Sequence, residues 1–463
     1  MPAGLYSSAV SFKSFIRRVK VGKNTYLAEV KSIRENGKIK QKFIRYLGRD
    51  VEGRAVRQTS TDVIRLLEVK RSLDVLAVDK IINDLKLKDL IGNSSLALVY
   101  SQLLEQKSIN KLEEWFKHTE IPDILGTTLS TKKLYNALAE LTDIDFTEIE
   151  ESTFSLLKKY EKPDIAAVID VTDTYFEGKK GSSSKRRKGK DSKVRHLIQI
   201  GLAVTLRHGF PLFHRIYHGN LSNMQIFKDM IIRLHHRGIE PIIMDRGMIS
   251  PDTLNVLLDL KTPAIAGLRK MPLFQEYLNR INREEIYNLK HRVELKNTSV
   301  FIKSYRYKKG RLIAVYNPSL EVIKRELNFA KEKENSFVGY SFIYHNTDLS
   351  DQEVVEKYYE KDVIERAFKQ LKGVLNVRPV MVWLENHVKG HVRICYLAYA
   401  VLSLMNYRLR KKKISAVEAL QSLQHGYKVT LKDSKTNFEW SLTVPLEPHQ
   451  QKILKALGVV TKT

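Results

Sequence analysis

Between residues 165 and 268 the chain carries five short apolar runs, Ile165–Val171, Leu197–Leu206, Pro211–Tyr217, Pro241–Met244 and Pro263–Leu268. Nothing else in the sequence constrains the fold as much, because short apolar runs bounded by turn formers mark strands buried on both faces. Between the third and fourth runs, Ser222 and Gln225 form an S-x-x-Q capping box. Phe227, Met230, Ile231 and Leu234 supply one apolar face, and Gly238 ends the segment. The pattern predicts antiparallel opening strands followed by strand-helix-strand crossovers, an α/β core over residues 161–270.

The flanks differ in character. Residues 1–60 predict a small β module: Asn24–Arg34 and Ile39–Leu47 are β-compatible, and Asn36-Gly37 between them favours a tight hairpin. Lys31, Arg34, Lys38, Lys40, Lys42 and Arg45 cluster there, either as a solvated sheet face or as a ribbon that tracks phosphates, with Arg34 and Lys38 at its tip. Residues 61–160 show apolar spacing of three and four, as in VIRLLEVKRSLDVL and KKLYNALAEL, and predict a helical region for DNA binding or dimerisation. Over 271–345 the runs Val300–Tyr307, Arg311–Tyr316 and Phe337–Tyr344 predict an inserted β subdomain. Core pattern returns over 346–412, and a mixed tail occupies 413–463.

Charge narrows the partner. The 463 residues hold 79 Lys and Arg against 52 Asp and Glu, a net +27, which points to a polyanion and by default to nucleic acid. The apolar stretch Ile394–Met405 is too short for a membrane span, which takes about 20 residues. Cys395 is the single cysteine, which excludes a disulfide framework and a cysteine-based zinc cluster, and no spaced set of histidines completes a metal site. The first residues carry no apolar signal region, so a cytosolic location is expected.

Two of the core runs end alike, Ile165–Ile169 in Asp170 and Pro241–Met244 in Asp245. Ligands of open α/β sheets collect at such carboxyl ends. Further along, Tyr358, Lys361, Glu365 and Lys372 fall on one side of a helix whose adjacent stripe is Ile364, Phe368, Leu371 and Leu375. Three carboxylates from two strands and a helix suit a pair of Mg²⁺ or Mn²⁺ ions, and without cations they would raise one another's pKa. Between the first two core strands, KKGSSSKRRKGKDSKVR (residues 179–195) is either a flexible solvated loop or an electrostatic arm on DNA, with Lys185, Arg186, Arg187 and Lys188 at its centre. Asp170-Val171-Thr172-Asp173-Thr174 also approaches the D-x-D-x-T loop of phosphatases, with its second carboxylate one residue late.

Asp170, Asp245 and Glu365, with Tyr358-x2-Lys361-x3-Glu365-x6-Lys372, resemble the DDE transposases of bacterial insertion sequences, in the cut-and-paste branch with a Tyr, Arg, Glu, Lys signature. Asp170-Val171-Thr172, Gly209-Phe210-Pro211-Leu212, Gly219-Asn220, Met244-Asp245-Arg246-Gly247, Val363–Phe368 and Arg378-Pro379 support it, and Glu35–Lys38 with Leu47-Gly48 and Ile453–Gly458 extend the resemblance over nearly the whole chain. It implies an RNase H-like mixed sheet with the β insertion between Asp245 and Glu365, and a two-metal site held by Asp170, Asp245 and Glu365. Tyr358, Lys361 and Lys372 would position phosphates. The implied partners are double-stranded DNA, as terminal inverted repeats and target, and a second copy of the chain in the active complex. The implied activity is metal-dependent strand cleavage and strand transfer; a relative that binds DNA without cutting is the alternative. Two positions depart from the pattern. Lys361 stands where the family has arginine, losing the planar fork. The tryptophans, Trp115, Trp383 and Trp440, all lie outside the insertion, leaving Phe301, Tyr305 or Tyr307 to stack on a flipped base.

Overall fold

The computed structural model describes residues 14–35, 38–51, 53–56, 61–161, 165–176, 185–188, 194–218, 221–246, 248–249, 251–269, 274–296, 298–327, 338–375, 382, 384–444 and 446–460. The chain divides into two compact units, Met1–Val69 with Val429–Leu442, and Lys70–Lys428 with Thr443–Thr463.

In the first unit, Ser14–Val21, Asn24–Glu35, Lys38–Val51 and Arg54–Val56 form a four-stranded antiparallel sheet in chain order. Glu29 ties its first three strands together, accepting from Ser14 Oγ at 2.6 Å and Arg45 Nε at 2.8 Å. The Asn36-Gly37 turn lies outside the described residues. Ile64–Arg71 is a strand beside Tyr427–Asp433, which also pairs with Glu439–Thr443. This corrects the helical expectation for VIRLLEVKRSLDVL: the helix begins only at Leu73 and runs to Asp84. Pairing with a strand more than 350 residues away overrides the local three-and-four spacing.

The second unit is built on a ten-stranded mixed sheet. At its centre Ala167–Phe176 pairs antiparallel with Val194–Thr205, which pairs antiparallel with Pro211–His218. On the other side Ile242–Met244 runs parallel to Ala167–Phe176, and Ala264–Leu268 runs parallel to Ile242–Met244. These are the five predicted runs, in the spatial order third, second, first, fourth, fifth. The Ser222–Gln225 capping box is present, opening the helix Asn223–His236. Residues of the expected insertion continue the same sheet: Tyr340–His345 pairs antiparallel with Ala264–Leu268, followed by Gly310–Tyr316, Thr298–Tyr307 and Arg292–Leu295.

Period-two alternation splits the core between the two faces of the sheet. Ala167, Ile169, Ile242, Met244, Ala264 and Ala266 pack with Phe227, Met230 and Leu257 on one face. Val168, Leu202, Val204, Ile243 and Ile265 pack on the other with Val363, Phe368, Leu397 and Val401. That second face carries Glu385–Leu409, a helix buried along much of its length. Among the described residues no helix is long and apolar enough to cross a membrane.

Candidate active site

Register places the first two carboxylates side by side. Ile169 pairs with Met244 and Met244 with Ala266, so the next row across three parallel strands reads Asp170, Asp245, Gly267. Neighbouring strands lie about 4.8 Å apart. Asp170 follows Val168 by two residues and Asp245 follows Ile243 by two, so both side chains face the second layer. Asp173, an odd number of residues from Asp170, alternates to the opposite face, which separates the two carboxylates a phosphatase loop would need together.

The segment above this row is not one continuous helix. A Ser350 and Glu353 capping box starts Asp351–Tyr359, the chain breaks at Glu360 and Lys361, and Asp362–Lys369 follows. Gln370–Val374 then widens into a π turn. The expected common face of Tyr358, Lys361, Glu365 and Lys372 is therefore assembled from three pieces. Val363, Ile364, Ala367, Phe368 and Leu371 are buried, as an amphipathic stripe requires.

Tyr358 is buried and donates its hydroxyl hydrogen to Asp245 Oδ1 at 3.3 Å. Burial first, and then the Asp245 charge and hydrogen bond, push the phenol well above its ordinary value, so it remains a donor. Lys361 Nζ lies 3.4 Å from the same oxygen and 5.2 Å from the Tyr358 ring centroid. Lys372 Nζ bonds Thr172 Oγ1, on the Asp170 strand, and sits 5.2 Å from the Phe368 ring centroid. Asp170 Oδ1 accepts from the Val171 amide at 2.7 Å. The structure thus brings Asp170, Asp245, Tyr358, Lys361 and Lys372 onto one layer of the sheet.

Glu365 differs. It is exposed on Asp362–Lys369, a helix packed over the Asp170 strand. Among the described residues no group of three or more His, Cys, Asp or Glu side chains is placed to hold a metal ion. Asp245 follows the end of its strand, whereas the Asp170 strand continues to Phe176, so Asp170 lies within the sheet rather than at a strand exit; the hard carboxylate oxygens of the two fit Mg²⁺ or Mn²⁺.

Three contributors were not singled out from the sequence. Gly267 leaves open the space filled by the Tyr358 hydroxyl, where a Cβ would overlap it. A glycine inside an apolar strand run is the signal for such close approach. Gln102 and Gln106 donate to the carbonyls of Leu375 and Val374, tying the helical region to the end of the π turn. No local pattern announces that contact.

The other candidates are placed only in part. Lys185–Lys188 form a strand paired with Val194–Thr205 rather than a loop; the side chains of Lys185, Arg186, Arg187 and Lys188, and those of Arg34 and Lys38, lie outside the described residues, as do Gly219, Asn220, Gly247, Arg378, Pro379 and Trp383. Phe301 packs on Tyr287 with ring centroids 5.0 Å apart and Tyr305 on Tyr277 at 5.2 Å. Tyr307 meets Phe274 at 6.0 Å.

Sequence comparison gives the family. Residues 161–401, just over half of the 463, match the family model described as the transposase DDE domain. The chain belongs to that family of transposases. Among solved structures, a piggyBac transposase in a synaptic complex with hairpin DNA aligns at 11% identity and a TM-score of 0.41, covering 76% of each chain. No curated protein matches the chain.

Proposed function

We propose that this protein is a cut-and-paste DNA transposase that binds the terminal inverted repeats of an insertion sequence, cleaves DNA strands and joins the freed end to target DNA. The observation that carries the proposal is the row Asp170, Asp245, Gly267, with Tyr358 and Lys361 both on Asp245, inside a transposase DDE domain. The strand order third, second, first, fourth, fifth, with the second strand antiparallel to the first, supports an RNase H-like core.

Asp170, Asp245 and Glu365 are the residues that would hold Mg²⁺ or Mn²⁺. Bound there, two such cations would lower the pKa of an attacking hydroxyl and stabilise a departing oxygen. The chain's own contributions are distinct. Tyr358 fixes the Asp245 carboxylate by donating to it, and Lys361 supplies a positive charge beside it. Lys372 stands over the Asp170 strand, where it meets a phosphate. Lys361, a compact ammonium, contacts phosphate without the paired hydrogen bonds of a guanidinium. The β module, with Arg34 and Lys38, and the segment holding Lys185, Arg186, Arg187 and Lys188 add sequence-independent affinity for the DNA ends and target. The active complex is proposed to contain two copies of the chain, working in the bacterial cytosol at the nucleoid.

The test is cleavage and joining of end-containing DNA with Mg²⁺. Asp170→Ala, Asp245→Ala and Glu365→Ala should each abolish both steps while DNA binding persists; normal cutting by all three variants overturns the assignment. The second reading is DNA binding without catalysis. Salt-dependent binding of ends by the wild-type protein with no metal-dependent nicking selects it.

A further inference from the structure

A second cationic constellation lies at the edge of the same sheet, along the strand Pro211–His218. Asp170 pairs with Leu202 and Leu202 with His214, so their side chains point the same way, about 10 Å separating the outer two strands. Beside His214 is a cavity of about 850 Å³, bordered by the edge strand Pro211–His218 and by the start of the helices Phe146–Lys158 and Glu385–Leu409. Its walls carry Arg215, Arg233, Lys389 and Arg393.

These cations are not equally neutralised. Arg215 donates to Glu150 Oε2 at 3.0 Å, Arg233 to Asp229 at 3.1 Å, and Lys389 pairs with Glu385 at 2.8 Å. Arg393 instead donates to the carbonyl of Leu141 and lies over the Phe146 ring, 4.8 Å from its centroid. Among the described residues it forms no salt bridge. Burial lowers the pKa of its guanidinium and neighbouring Arg215 adds to that, while Glu150, Asp145 and Asp143 oppose it. A guanidinium held in a partly dry wall beside a like charge is a site that an incoming anion relieves.

The helix termini act in the same direction. Leu384, at the start of the 25-residue helix Glu385–Leu409, makes no side-chain cap, so the positive end of that helix meets the cavity, with Glu385 in its first turn and the His387 amide donating to Asn386 Oδ1 at 2.9 Å. Asp145, which lines the cavity and caps the neighbouring helix, accepts the Thr147 amide at 2.9 Å. Planar guanidinium groups suit a phosphate oxygen.

We infer that this cavity is a binding site for a backbone phosphodiester of bound DNA. The site rests on the proposed transposase function for its ligand, though not on which residues cut. Free phosphate or a nucleotide offers the same chemistry, and the test separates these sources.

The full-length protein is titrated with a fluorescent 30-base-pair duplex by anisotropy, over a range of salt concentrations. The variants are Arg393→Gln, the pair Arg233→Gln/Lys389→Gln, and Lys452→Gln as an exposed charge control on another helix. For each phosphate that a variant no longer neutralises, affinity should drop about fivefold at about 0.15 M salt and the slope of log K against log salt should flatten by about 0.9. Both cavity variants should show this at unchanged melting temperature, and Lys452→Gln should not. Equal weakening by Lys452→Gln, or wild-type affinity and slope for both cavity variants, overturns the site and leaves the transposase function standing. No DNA binding by the wild type overturns the function itself. If inorganic phosphate at millimolar concentration stabilises the wild type but not Arg393→Gln, while DNA affinity is the same for both, the cavity belongs to a free anion and the DNA assignment fails.

Discussion

Gly267 lends its missing side chain to Tyr358, whose hydroxyl occupies that space on its way to Asp245 Oδ1, 3.3 Å away. A methyl group at residue 267 would displace the ring. Gly267→Ala is therefore expected to cost about 1–3 kcal/mol through overpacking and to reduce strand cleavage sharply. Adding Tyr358→Phe should restore part of the stability, since the overlapping oxygen is gone, but not the activity, since the donor to Asp245 is gone as well. Urea unfolding and a Mg²⁺-dependent cleavage assay on the single and double variants check both halves.

One half of this site is legible in the sequence alone. Ile165–Ile169 and Pro241–Met244 run straight into Asp170 and Asp245, and burial on both faces leaves such runs only one use, as central strands. The Ser222 and Gln225 cap is equally readable, because its physics is confined to four residues. What is not readable depends on distant partners. The periodicity puts Tyr358 on a helix face, yet it finds Asp245 through a gap left by a glycine 91 positions earlier in the chain. The break at Glu360 and Lys361 leaves the apolar periodicity intact, so the period predicts one helix where the structure has two. Ile64–Arg71 has helix-compatible spacing and becomes a strand because Tyr427–Asp433 lies beside it. The strands after residue 290 are recognisable, but not their attachment to the core sheet through Ala264–Leu268.

Gln102 and Gln106 act on the site from outside it. Their amides donate to Leu375 and Val374, the carbonyls that close the π turn bearing Lys372. Replacing both with alanine removes two hydrogen bonds from a helix end, at about 1 kcal/mol each. The larger consequence is expected at Lys372, whose approach to Thr172 is then no longer fixed. Cleavage should fall while the salt dependence of DNA binding is unchanged, a combination that a smaller folded fraction does not produce.

Asp351 joins the strands beyond the core to the helix that carries Tyr358. Its carboxylate accepts from Ser304 Oγ at 2.5 Å and Arg311 Nη2 at 2.9 Å, and His345 Nε2 lies 3.3 Å away. Burial raises its pKa, but the hydrogen bonds from His345 and Ser304 and the charge of Arg311 outweigh burial and leave it below the usual aspartate value. A folded pKa below the unfolded one means stability that is present above about pH 3.9 and lost as pH falls through the lower folded value. Wild-type protein should lose melting temperature more steeply below about pH 4 than Asp351→Asn, which lacks this titration. At about pH 5 and above, more than a unit clear of the unfolded aspartate value, the variant should melt at a lower temperature than wild type by a constant margin. Melting curves over this range decide the matter, and parallel acid losses in the two proteins would exclude the linkage.

Glu150 holds two residues of the cavity wall, His214 and Arg215, from behind. It is fully buried on the helix Phe146–Lys158 and accepts the His214 amide and ring Nδ1, each at 2.8 Å, and Arg215 Nη1 at 3.0 Å. Burial raises its pKa, yet the His214 hydrogen bond and the charges around it prevail, so the carboxylate is ionised; burial keeps His214 on the neutral side. Neutral His214 stacks on Tyr396, its centroid 4.7 Å from that ring, which fixes the edge strand against the long helix. Glu150→Gln keeps the shape but removes the one charge that answers Arg215, and breaking one partner of a buried pair costs about 3 kcal/mol. The urea midpoint should fall accordingly, with the unfolding slope unchanged. DNA affinity measured well below that midpoint should rise rather than fall, because Arg215 then presents its full charge to the cavity. A variant that is destabilised and also binds DNA more weakly would show that Glu150 orients the cavity's cations rather than merely offsetting them.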